Sequence, residues 1–62
     1  MKPAYQMTNL RNRVAQEACL ADVQFMELRL EECRKTLRGI YDLVTAMERL
    51  VGEEEHKGVL QG

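Results

Sequence analysis

Apolar residues recur along the chain at Val23, Met26, Leu30, Cys33, Leu37, Ile40, Val44, Met47 and Val51. Their spacing alternates three and four residues over four heptads. That pattern belongs to a helix presenting a narrow seam to another helix. Traced backwards, the seam fades through Cys19 into Gln16 and Asn12. There a second apolar stripe takes over: Leu10, Val14, Ala18, Ala21, Phe25 and Leu28. At 100° per residue it lies roughly opposite the first. A two-stranded coil has no use for a second apolar face, whereas a helix inside a bundle touches two neighbours. Leu43 and Leu50 flank the C-terminal seam and widen it, which also favours more than two helices at the contact.

The charges beside the seam bear on orientation. With Val23 as the first seam position, one flank holds Asp22 and Arg29 and the other Glu27 and Arg34. A parallel, in-register pair would set Asp22 against Glu27 and Arg29 against Arg34, both like-charged. Antiparallel packing sets Glu27 against Arg34. Each exposed pair contributes only a few tenths of a kcal/mol, but the signs agree on antiparallel packing, which together with the width of the seam points to an antiparallel dimer or a tetrameric bundle.

The expected organisation is a lead-in over residues 1–7, a helical region over 8–55 and a flexible tail over 56–62. Pro3 suits the approach to a helix or its first turn, and Thr8 and Asn9 are competent N-caps. No proline follows Pro3. An unbroken helix would be roughly 70 Å long, too long to stand in water without a partner surface. We therefore expect a continuous amphipathic helix in an all-α coiled coil or small bundle. The alternative is a helical hairpin broken at Gly39. Arg34, Lys35 and Arg38 would favour a helix end there, Gly39 would cap it and Asp42 would start a second helix. Against the break, Ile40, Val44, Met47 and Val51 continue the seam in phase.

Composition narrows the function classes. Sixty-two residues make one small domain that is marginal alone. The net charge is −1, so no basic field draws nucleic acid or an anionic membrane. No apolar run reaches transmembrane length and the N-terminus lacks a signal-peptide pattern. Cys19 and Cys33 would stand about 21 Å apart on one helix and read as small apolar side chains in a reducing, intracellular and cytoplasmic setting. Glu53, Glu54, Glu55 and His56 read as a solvated helix end rather than a metal site. Arg11, Arg13, Arg29, Arg34, Lys35 and Arg38 are interleaved with acids, unlike the dense block of a basic-region zipper. No phosphate loop, nucleophile set or Cys-x-x-Cys motif is present, and no motif ties the chain to a family.

The expectation is a non-enzymatic oligomerisation and protein-interaction module, without metal or cofactor, that binds itself and another protein. The alternative is a helical-hairpin chaperone or inhibitor that folds on a larger protein; a DNA-binding regulator ranks last.

Overall fold

A computed structural model describes the backbone of residues 2–61 and the side chains of residues 2–58. Two helices, α1 (Pro3–Met26) and α2 (Leu30–Gln61), pack against each other as an antiparallel hairpin. The hairpin measures 51 × 16 × 13 Å. The chain is all-helical, as the periodicity implies, but it is not one continuous helix, and the break is not at Gly39. Gly39 lies inside α2 with an ordinary backbone. The turn is made by Glu27, Leu28 and Arg29.

Pro3 occupies the first turn of α1, and the Lys2 carbonyl accepts from the Tyr5 and Gln6 amides at 3.0 and 3.1 Å. Proline is preset for this position and has no amide to leave unpaired. Most of the expected lead-in is therefore helical. Thr8, expected as a cap, is interior, and its hydroxyl donates to the Ala4 carbonyl at 3.0 Å. At the other end α2 runs through to Gln61, past Glu55 and into the expected tail.

At the end of α1, the Leu28 amide donates to the Phe25 carbonyl at 3.0 Å and the Arg29 amide to the Gln24 carbonyl at 2.8 Å. Together these bonds form a Schellman cap. Its left-handed position is filled by Leu28, with φ 60°, where glycine is usual. A leucine in this conformation costs about 1–2 kcal/mol. Burying one leucine side chain is worth about as much, 1.5–3 kcal/mol. A fold placed near the middle of the chain lets α1 cover most of α2, which more than offsets the strain. A fold at Gly39 would leave much of the longer arm uncovered.

The start of α2 is favoured electrostatically. Glu31 and Glu32 sit in its first turn, where carboxylates complement the helix dipole. Arg29 bridges the turn, 3.6 Å from Glu27 and 3.7 Å from Glu32. Glu27 thus belongs to the turn, so the expected pairing of Glu27 with Arg34 is not available as a guide to orientation.

Between the helices, Ala21 and Gln24 of α1 meet Cys33 and Thr36 of α2 near the turn, and Leu43 is buried further out. Leu10, Val14, Ile40, Met47 and Leu50 are half-buried. Among the described residues no large side chain is fully enclosed.

Candidate functional site

The expected seam is divided by the turn. Val23 and Met26 stand exposed on α1, and the rest of the seam lies on α2. Within α2 it splits lengthwise. Cys33, Ile40 and Met47 join Thr36, Leu43 and Leu50 on the inner side, facing α1. Leu43 and Leu50, expected as flanks, are thus at the centre of the contact. Leu30, Leu37, Val44 and Val51 form an outer stripe, with exposures of 54, 47, 37 and 50%. The second stripe divides likewise. Leu10, Val14 and Ala21 face α2, whereas Ala18, Phe25 and Leu28 are exposed.

Two grooves fix which sides of the helices lie together. Ala4 and Met7 share one groove with Leu50 and Val51. Seven-residue steps keep to one side of a helix. The side of Ala4 therefore carries Arg11, Ala18 and Phe25, and the side of Val51 carries Val44, Leu37 and Leu30. These two stripes make one continuous face of the hairpin, bordered by Ala15 and Tyr41. Gln6 and Arg13 share the other groove with Ala46 and Glu53. That opposite face carries Leu20, Glu32 and Gly39 as well and is the more polar.

The hairpin exposes much surface for its mass. The accessible surface is 5236 Å², against roughly 4,100 Å² for a compact monomer of this mass. The excess, about 1,100 Å², reflects the elongated shape of two helices packed side by side.

The contact near the turn contains what the periodicity did not single out. Gln24 and Thr36 are polar yet buried. The Thr36 hydroxyl lies 2.7 Å from Gln24 Oε1 and 3.0 Å from the Glu32 carbonyl, and its single proton serves one of them at a time. Cys33 Sγ lies 3.3 Å from the Ala21 carbonyl. Cys33 is buried, as a small apolar side chain would be, but Cys19 is exposed, against expectation. Both thiols are unpaired. In sequence, Gln24 and Thr36 read as solvent positions. Only the change of stripe around Ala21 and the acidic pair Glu31–Glu32 hinted at a helix boundary between them.

Among the described residues, no three His, Cys, Asp or Glu side chains converge as a metal site. His56 and Glu53 are exposed on α2, and Lys57 pairs with Glu54 at 3.4 Å. Among the described residues no helix is long and apolar enough to cross a membrane. What the arrangement offers chemically is an apolar surface edged with charge. Comparisons with family models, curated proteins and solved structures find no match to this chain.

Proposed function

We propose that the chain is a non-enzymatic association module whose working part is the apolar face formed by Ala4, Ala18 and Phe25 with Leu30, Leu37, Val44 and Val51. The observation that carries this reading is the outer stripe of α2. It consists of branched aliphatic residues left half-exposed, on a hairpin that encloses no large side chain among those described. A two-layer pair of helices excludes water from its core poorly, and a second layer is the standard remedy. The partner is a second copy, giving a small helical bundle. A reducing, cytoplasmic setting fits the exposed, unpaired thiol of Cys19.

The test is mass by light scattering over a range of concentrations, with circular dichroism on each sample. The expected result is a helical dimer or tetramer that Leu37→Asp converts to monomer. A fully helical monomer at every concentration, or an oligomer indifferent to Leu37→Asp, overturns the reading. The thin core favours a second reading, a hairpin that folds on a larger protein. A weakly helical monomer would transfer support to it.

A further inference from the structure

The apolar face is also patterned in charge, and this inference rests on the proposal that a second copy covers it. Between the two ends of the face stand four charged side chains, Arg11 within it and Asp22, Arg34 and Glu48 at its border; Glu55 lies further out, at the open end. All four are exposed, and none takes part in the hairpin's ion pairs, which among the described residues join Arg29, Glu27, Glu32, Glu54 and Lys57. The packing of the helices sets their levels. Ala21 and Gln24 contact Cys33 and Thr36, so Asp22 stands beside Arg34 near the turn. Leu10 and Arg13 share a groove with Ala46 and Leu50, so Arg11 stands beside Glu48 toward the open end. Read across the face, the signs alternate as on a checkerboard. Such a pattern meets its own opposite when the face is turned over onto itself by a two-fold rotation.

Two rotation axes in the plane of the face satisfy the charges, and side-chain size separates them. An axis across the helices lays α2 on α2, with Leu37 on Val44 and Tyr41 on Tyr41, and α1 on α1, with Ala15 on Ala18. One pair of helices is then held wide and the other drawn close, since interaxial distance follows side-chain size. An axis along the helices lays α2 of each copy on α1 of the other. Leu37 then meets Ala18, Tyr41 meets Ala15 and Val51 meets Ala4. At these three levels a large side chain faces a small one, while Leu30 faces Phe25 and Val44 faces Arg11; the large side chains are thus shared between both pairs of helices instead of gathered on one.

We propose that two hairpins pair face to face about an axis parallel to their helices, with Arg34 of each copy against Asp22 of the other and Arg11 against Glu48.

The experiment is dimer affinity by sedimentation equilibrium at low salt for the wild type, Arg34→Asp, Asp22→Arg and Glu48→Arg, alone and in mixtures. Each substitution creates two repulsive contacts in its homodimer, and self-association is expected to weaken roughly tenfold. Mixing Arg34→Asp with Asp22→Arg restores opposite charges at both contacts and is expected to return a heterodimer of wild-type affinity. Half-molar salt should shrink all these differences. Circular dichroism checks that each variant is helical. Rescue of Arg34→Asp by Glu48→Arg in place of Asp22→Arg overturns the arrangement in favour of the crosswise axis. A dimer indifferent to all three substitutions overturns the charge pairing but leaves self-association standing. A wild-type chain that stays monomeric overturns both.

Discussion

The inner and outer stripes of α2 run side by side along one helix and are built from different materials. The inner stripe, facing α1, begins with Cys33 and Thr36 and becomes aliphatic at Ile40, Leu43, Met47 and Leu50. The outer stripe, Leu30, Leu37, Val44 and Val51, is aliphatic throughout and half-exposed. Hydrophobicity alone would have buried the outer stripe first. The chain closes the hairpin with a stripe that is polar only at its turn end and holds a second aliphatic stripe outward. This division separates two tasks. Inner contacts determine how the chain folds back on itself, and on the proposed function outer residues determine what the folded hairpin binds.

Leu43 tests the division most strongly. Among the described residues it is the one large aliphatic side chain classed as buried, at 8% exposure. Leu43→Ala is expected to lower stability by about 2–5 kcal/mol, the usual range for a buried leucine whose site collapses only in part. The loss should appear in urea unfolding at every protein concentration. The same truncation at Leu37 is expected to remove only the concentration-dependent part of the stability. Equal and concentration-independent losses at the two sites would abolish the distinction between inner and outer stripes.

The buried polar pair sharpens the comparison on the inner side. Thr36→Val keeps the shape but takes the donor from Gln24 Oε1. A buried acceptor left without its partner costs about 1–3 kcal/mol. Changing both residues, Gln24→Leu with Thr36→Val, is expected to recover most of that loss, because two apolar groups leave nothing unsatisfied. Thermal unfolding of the single and double variants checks this. A double variant no better than Thr36→Val alone would mean that the hydrogen bond does not set the cost.

How much of this was legible beforehand follows from the same residues. The helical class, the apolar positions and the presence of two stripes are readable from spacing, because 3.6-residue periodicity survives in any helical packing. Which stripe faces which was not readable. That assignment depends on where the chain turns, and the turn is made by Leu28, a residue with no turn signature. Gly39 carried the expected signature, yet the helix continues through it. Glycine costs about 1 kcal/mol in a helix interior, less than the burial forfeited by folding there. Gln24 and Thr36 were invisible for a related reason. They are polar residues that become buried only through each other, across a contact that the turn creates. The outer face was legible as apolar residues but not as a surface.

Gly39 gives a smaller test of the same trade. A Cβ added there meets nothing within 4 Å, and the position lies on the more polar face. Gly39→Ala is expected to raise stability by about 1 kcal/mol through helix propensity and lost freedom in the unfolded chain. For a domain of this size that amounts to roughly 4–8 °C in Tm. The mass of the proposed oligomer should not change, since the apolar face is untouched. A weakened oligomer would mean that the polar face also packs against a partner.

The smallest expected effect belongs to the turn itself. Leu28 is strained at φ 60° and 77% exposed. Leu28→Gly relieves about 1–2 kcal/mol of left-handed strain but gives back roughly 0.5–1 kcal/mol in glycine's backbone entropy. A net gain of about 0.5–1 kcal/mol is expected, read from urea midpoints at low protein concentration. Those midpoints isolate the hairpin from its associated form. If the gain persists at high concentration, Leu28 serves the turn only and lies off the contact. If it reverses into a loss as the protein associates, the leucine is buried in the assembly. Its strain in the lone hairpin would then be the cost of presenting an apolar side chain to the second copy, and the outer face would extend around the turn.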